Sequence, residues 1–282
     1  SFSNGAAGTN SAEIVAFDPS TDRLYIANSI GQKMDVVNFS NPAAPALITS
    51  ISMVPYGGIN SIVSKNGIVA VAVENANPQL NGSVVFFDQN GLFLNQVTVG
   101  AMPDMITFNQ DYTKVLTANE GEPNATYSVD PEGSVSIINI AGGIAALTQA
   151  NVTNISLSQY NGQEVALRAQ GIRIFTSSAS VAQDLEPEYI AVSTDNTKAY
   201  VTLQENNALL TIDLLTNSIV SLTPFGYSSY AAGSNNALDA SDQSGMVLIT
   251  GDLPIKGAYM PDAMTYKTIG SQTYYRSNCV FK

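Results

Sequence analysis

The chain has 282 residues, 45% hydrophobic and only 12% charged, with 23 acidic against 11 basic side chains and a net charge of −12. This is the composition of an acidic, packed globular protein, and it argues against a nucleic-acid partner, because phosphate neutralisation needs clustered Lys and Arg. With no His and a single Cys, Cys279, the chain excludes Ser-His-Asp and Cys-His catalysis, His-ligated zinc or haem, and any internal disulfide.

No apolar run reaches the roughly 18 residues that a membrane-spanning helix needs. The densest stretch, GIVAVAV from Gly67 to Val73, is strand-length. The first residues, SFSNGAAGTN, lack a basic start and an apolar core, so either the chain is cytosolic or a signal was removed before Ser1, the latter being the expectation for an extracellular or surface protein. The abundance of Asn and scarcity of Lys lean the same way.

In chain order a unit recurs: a strand, a tight polar turn, a second strand, a polar loop, and a third strand closing on Asp or Asn. Glu13 opens EIVAFDPSTDRLYIAN, followed by MDVVNF. Asn60 opens NSIVSKNGIVAVAV, followed by GSVVFFD, and Asp104 opens DMITFNQDYTKVLTAN, followed by GSVSIIN. Glu188 opens EYIAVSTDNTKAYVTL, followed by NALLTID, and Asp262 opens a fifth copy, DAMTYKTIGSQTYY. The first two intervals are close to the roughly 45 residues of one four-stranded propeller blade; the later two carry insertions. Asn66-Gly67, Asn90-Gly91 and Asp195-Asn196 sit where hairpin turns require positive φ. Fourth strands are expected at Leu92 to Val99 and Ser218 to Leu222.

The pattern predicts one all-β domain over 1–282, a β-propeller of four-stranded antiparallel blades with about five repeats. Two excursions interrupt it. Residues 140–186 are expected to hold a short helix at Glu164 to Ala169 and a strand around Ile172 to Phe175, and residues 227–261 are expected to be loop.

Several segments together carry a resemblance: LTANEGEPN at Leu116 to Asn124, DPEGSVSIINI at Asp130 to Ile140, VAQDLEPEYIAVS at Val181 to Ser193, YVTLQENNAL at Tyr200 to Leu209, and NALDASD at Asn236 to Asp242. In this order they resemble the choice-of-anchor I family of bacterial surface proteins, which is similar to the mesenchyme-specific cell-surface glycoprotein. The resemblance implies a secreted or surface-attached β-propeller, and some relatives bear alkaline-phosphatase or phytase-like labels. The family continues with further repeats and an anchor, whereas this sequence ends at Lys282 and reads RSNCVFK where a relative repeats an ANEGD-like motif. The expectation is a copy shortened at its C-terminus, with an incomplete ring whose strand edges are open to pairing.

The concentrated chemistry is acidic. Glu120, Glu122, Asp130 and Glu132 lie on one loop of the third unit, and Asp184, Glu186 and Glu188 precede the fourth. Calcium takes about six to eight oxygens at about 2.3–2.6 Å, and loops rich in Asp, Glu, Asn and Gly supply them without His or Cys. These seven residues are the candidate metal ligands, calcium the candidate cofactor, and solvated loop carboxylates the plain alternative. Glu205, with Asn206 and Asn207, matches the position of Asn119-Glu120 one unit earlier, which would set both glutamates near a central channel, either as a catalytic pair or as structural hydrogen-bonding groups. Asp239 and Asp242 are weaker cation candidates, better read as turn residues. Tyr227, Tyr230 and Tyr259 could contact a partner or pack a loop.

Two functions follow. The first is a non-enzymatic extracellular or cell-surface module for binding, adhesion or self-assembly, calcium-stabilised, whose partner is a protein or glycan at a cell surface or another copy through exposed strand edges. The alternative is a calcium-dependent phosphoesterase resembling propeller phytases, which would need cations beside the phosphate where Arg is scarce.

Overall fold

A computed structural model describes Ala12 and residues 14–175, 178–241, 243–270 and 272–279, so Glu13 and Asp242 lie outside the described residues. The chain is a β-propeller. Four meandering antiparallel sheets of four strands follow one another. The first blade is β1 (Val15–Asp18), β2 (Arg23–Asn28), β3 (Lys33–Asn38) and β4 (Ala46–Ser52). The second is β5 (Gly58–Lys65), β6 (Ile68–Glu74), β7 (Asn81–Asp88) and β8 (Phe93–Ala101). The third is β9 (Pro103–Phe108), β10 (Lys114–Asn119), β11 (Ser134–Asn139) and β12 (Val152–Ser156), and the fourth is β13 (Tyr189–Val192), β14 (Lys198–Leu203), β15 (Ala208–Asp213) and β16 (Ser218–Pro224).

Between β12 and β13 lie α1 (Glu164–Gln170) and α2 (Val181–Asp184). After the fourth blade, β17 (Tyr227–Ser229) pairs with β18 (Lys256–Ala258), and β19 (Pro261–Ile269) pairs with β20 (Gln272–Cys279). Among the described residues the sheet of the fifth repeat has two strands only, β19 and β20.

The sequence explains the stacking. Successive strand residues point to opposite faces, so a middle strand sandwiched between two blades must be apolar on both. In β6, Val69, Val71 and Val73 pack with Tyr25, Met34 and Val36 of the first blade, while Ala70 and Ala72 pack with Ile106, Phe108 and Val115 of the third. The alternation recurs in β14, where Ala199, Val201 and Leu203 face the third blade and Tyr200 faces Met264 of β19. Outer strands such as β4 are largely exposed. Each fully buried aliphatic or aromatic side chain contributes about 1.5–3 kcal/mol, so the inter-blade layers are the core.

Polar staples fix neighbouring blades. The carboxylate of Asp18, fully buried at the end of β1, accepts from the Gly67 N–H (2.7 Å) and the Ser64 hydroxyl (3.2 Å) of the second blade, and from Ser20. Burial pushes its pKa up, but these hydrogen bonds outweigh it and leave the carboxyl below its ordinary value.

Several local expectations need correction. Asn66 (φ 52°) and Gly67 (φ 77°) do form a two-residue turn between β5 and β6. The turns at Asn90-Gly91 and Asp195-Asn196 are wider, because Asp88 and Asp195 fold the chain by accepting backbone N–H groups within the loop. The helix at Glu164 is present and runs one residue past Ala169. No strand forms at Ile172 to Phe175; Ile172 and Ile174 are instead buried side chains of an unpaired segment held by the Arg173 N–H to Asn206 carbonyl bond (2.9 Å). The fourth strand of the third blade is β12, inside the first excursion. The second excursion is not all loop, since it contains β17 and β18.

Candidate metal centre and an adjoining acidic cavity

The innermost strands β1, β5, β9, β13 and β19 surround a channel of about 1030 Å³, lined among others by Asn60, Asp104, Glu188 and Asp262. These residues occupy one position in successive repeats. Three of them follow a proline, at Pro103-Asp104, Pro187-Glu188 and Pro261-Asp262. A proline fits the start of a strand, where no ladder donor is required: Pro103 and Pro261 open β9 and β19, and Pro187 lies two residues before β13, so the next side chain stands at the same end of the channel each time.

Glu120 joins this end from the neighbouring strand. It follows the last residue of β10, where a register shift at Ala118/Asn119 bends the strand and the Glu120 N–H reaches the Met102 carbonyl (3.0 Å). Behind it Asn119 is fully buried, its amide donating to Ser134 (3.1 Å) and Ser136 (2.9 Å) and its oxygen accepting from Thr117 (2.9 Å). Glu188 is set by its N–H to the Thr202 carbonyl (2.8 Å). Gly133 ties the two blades together: its N–H donates to the Ala182 carbonyl (2.9 Å), and a Cβ there would stand 1.9 Å from the Leu185 carbonyl oxygen.

The result is a convergence of Asp104, Glu120 and Glu188, each half-buried, offering oxygens that lie within 4.8 Å of one another. Burial, then the charges of Asp104 and Glu188, push the Glu120 carboxyl far above the ordinary carboxylate range. Burial raises Glu188 as well, a hydrogen bond from Glu120 pulls it partly back, and Asp104, Glu205 and Asp262 add to the rise. Three carboxylates at this spacing cannot all ionise unaided; protons or a cation must offset their repulsion.

The remaining acidic residues gather beside this point. A cavity of about 350 Å³ between the long loop after β10 and the segment before β13 is lined by Glu122, Asp130, Asp184, Glu186 and Glu205, with Tyr127, Arg173 and Phe175. Burial, then Glu205, Glu122, Asp184 and Asp130, push Glu186 up to about 8. Burial and Asp184 raise Asp130, whose Oδ1 is fully buried and has no hydrogen-bond partner. Asp184 accepts the Phe175 N–H through both oxygens (3.0 and 2.8 Å), and Asn206 holds the Glu186 N–H (3.1 Å). The Arg173 guanidinium lies 4.7 Å from the Phe175 ring and donates to the Glu205 carbonyl.

The seven sequence-predicted ligands thus divide. Glu120 and Glu188 meet at the channel, Glu122, Asp130, Asp184 and Glu186 line the cavity, and Glu132 is exposed and lines neither. Asp104 is the member of this cluster that spacing arguments missed, although it opens a repeat and follows a proline. Glu205 lines the cavity rather than the channel, so its pairing with Glu120 across equivalent loops does not bring the two side chains to one site. Asp239 accepts the N–H groups of Ser241 and Leu248, the turn role expected of it. Tyr230 is buried, and the Tyr227 hydroxyl donates to the Gly171 carbonyl.

Residues 13–277 match the choice-of-anchor I domain. No curated protein matches the sequence. Among solved structures the chain is similar to a functionally unknown protein from Desulfotomaculum acetoxidans DSM 771, with 13% identity and a TM-score of 0.51 over 76% of this chain and 58% of that one. It is also similar to a protein of unknown function from Bacteroides caccae (11% identity, TM-score 0.44, 79% of this chain and 62% of that one) and to a chain of a nidogen–laminin complex (12%, 0.46, 76% and 63%). At such identities the likeness concerns the fold alone. The match spans 58–63% of the length of these three chains. Among the described residues no helix is long and apolar enough to cross a membrane.

Proposed function

The chain belongs to the choice-of-anchor I family, which implies association with the cell surface, and from that premise we propose that it is a non-enzymatic binding module whose partner-facing end is organised by calcium. The observation that carries this reading is the convergence of Asp104, Glu120 and Glu188 at the channel. Carboxylates alone, without His or Cys, select a hard cation, and an irregular all-oxygen set contributed by two blades suits calcium better than the strict octahedron that magnesium demands. Calcium would draw the β10 end of the third blade and the β13 start of the fourth onto one ion. It would fix the loops that rim the channel, and a fixed rim loses less entropy on meeting a protein or glycan.

Thermal unfolding of the whole chain in calcium, in magnesium and in chelator tests this. Calcium is expected to raise the midpoint by several degrees, magnesium by less, and Glu120→Gln to remove the calcium increment. An unfolding curve indifferent to calcium overturns the reading. Hydrolysis of p-nitrophenyl phosphate that needs calcium and is lost in Glu120→Gln would replace the binding module by a phosphoesterase.

A further inference from the structure

The end of β9 and β10 that lies away from Glu120 carries a groove of about 250 Å³. It sits at the edge of the core layer between the second and third blades, walled by Ile68, Phe108, Ile140 and Ile144 together with Lys65 and Tyr112. The Phe108 and Tyr112 rings stand 6.1 Å apart. Lys65 is half-buried, with its ammonium 3.8 Å from the centre of the Tyr112 ring. Among the described residues it has no carboxylate partner, since the one ion pair joins Lys33 to Asp35. In a chain of 23 acidic and 11 basic side chains, this cation lies against apolar surface without the counter-charge that withdrawal from water ordinarily demands. Burial pushes its pKa down.

The backbone gives an independent sign. In each of the four complete blades the turn from first to second strand holds a residue at positive φ: Asp22 (51°), Asn66 (52°), Tyr112 (63°) and Asn196 (59°). Asp and Asn tolerate this conformation, whereas a bulky ring is an outlier in it. Only the third of these blades departs from the local preference, and the departing residue is the one that lies under Lys65 and walls the groove. A backbone cost carried at one copy of a repeat points to a task at that copy. The far wall is also peculiar to this blade: it belongs to the insertion between β11 and β12, where Gly143 (φ 88°) borders open space.

We propose that this groove binds a small free monocarboxylate with an apolar body about the size of one aromatic ring, its carboxylate on the Lys65 ammonium and its body against Tyr112, Phe108 and the isoleucines. A single ammonium balances one negative charge, and neither an Arg nor a second Lys lines the groove to take the two charges of a phosphate. The volume lies below the about 300 Å³ at which pockets for drug-sized ligands begin, so the occupant is a small molecule. The site goes beyond the calcium reading and is separate from it, because Tyr112 and Glu120 flank opposite ends of β10.

The test titrates 3-phenylpropionate, its uncharged amide and Nα-acetyl-glycyl-phenylalanine into the whole chain by calorimetry, in calcium and in chelator. The acid is expected to bind once per chain with a dissociation constant of about 10⁻⁴–10⁻³ M in both conditions, and the amide at least about tenfold more weakly. Lys65→Met should weaken the acid at least about tenfold. Tyr112→Asn, which restores the residue type of the second and fourth blades, should weaken it about threefold or more while the unfolding midpoint holds or rises. Absence of binding at millimolar acid, equal binding of acid and amide, or an affinity indifferent to Lys65→Met overturns the site. A lower midpoint with unchanged affinity in Tyr112→Asn overturns it as well, leaving Tyr112 a packing residue. Tighter binding of the dipeptide, whose carboxylate is a chain end, overturns the assignment to a free acid in favour of a partner's C-terminus. Because the acid is read in chelator too, failure of the calcium site leaves this test intact.

Discussion

Asp104 and Glu188 hold the same position in successive repeats, each the residue after a proline at the start of an inner strand, and their carboxylates meet across the boundary between the third and fourth blades. Repetition of the fold therefore creates the site. A residue that would be one solvated acid in an isolated hairpin becomes, by propeller geometry, part of a ring of acids at one end of the channel.

The proton balance of these acids and of the adjoining cavity gives a pH dependence. In the unfolded chain Glu120, Glu186 and Glu188 ionise near about 4.3. In the fold all three carboxyls are raised, Glu186 to about 8. Between those limits the folded state holds more protons, so this contribution to stability is complete below about pH 4 and lost as pH rises through the folded values. In chelator, the unfolding midpoint is expected to fall from pH 5 to pH 8, and calcium, which displaces the protons, should raise it more at pH 8 than at pH 5. Calorimetry in buffers of different ionisation enthalpy should show proton release on calcium binding at pH 6.

Asp18 predicts the opposite sign. Its folded carboxyl lies below the ordinary value, so its contribution is present above about pH 4 and lost as pH falls through the folded value. Asp18→Ala removes a buried acceptor of the Gly67 and Ser64 donors and should cost about 2–3 kcal/mol in denaturant unfolding. The increment from calcium should survive, because the staple joins the first and second blades.

Gly133→Ala should couple the two properties. The added Cβ meets the Leu185 carbonyl oxygen at 1.9 Å, and the chain from Leu185 leads directly to Glu186 and Glu188. An overpacking cost of about 1–3 kcal/mol is expected, together with weaker calcium binding. A destabilised variant with unchanged calcium affinity would show that the Gly133 contact does not position Glu188.

Asp262 lies beside the triad in the channel wall and adds to the field on Glu188 without belonging to the close triad. Asp262→Asn is expected to weaken calcium about threefold to tenfold by titration, against near-complete loss for Asp104→Asn.

Much of the fold was legible because its cause is local and repeated: turn residues at fixed offsets, strands apolar on both faces, and closing Asp or Asn residues. The GIVAVAV run, read as strand-length, ends in β6, whose Val69 to Val73 are buried on both faces. The site was legible only in kind. That Glu120 and Glu188 converge while Glu122 and Glu186, two residues away from each, turn into a separate cavity depends on the bend at Ala118/Asn119 and on the contact of Gly133 with the Leu185 segment. Those are long-range facts that no single segment encodes. Asp104 was passed over although a local signal existed, since its Pro-acid dipeptide recurs at Glu188 and Asp262 and marks the inner-strand position in the sequence itself.

The most direct measurement is a calorimetric titration of calcium into the whole chain, wild type beside Asp104→Asn, Glu120→Gln and Glu188→Gln, with circular dichroism confirming that each variant is folded. The account predicts one site per chain with a dissociation constant of about 10⁻⁵–10⁻³ M, lost or weakened at least about tenfold in all three variants. Absence of binding, or binding that all three substitutions leave unchanged, would contradict it.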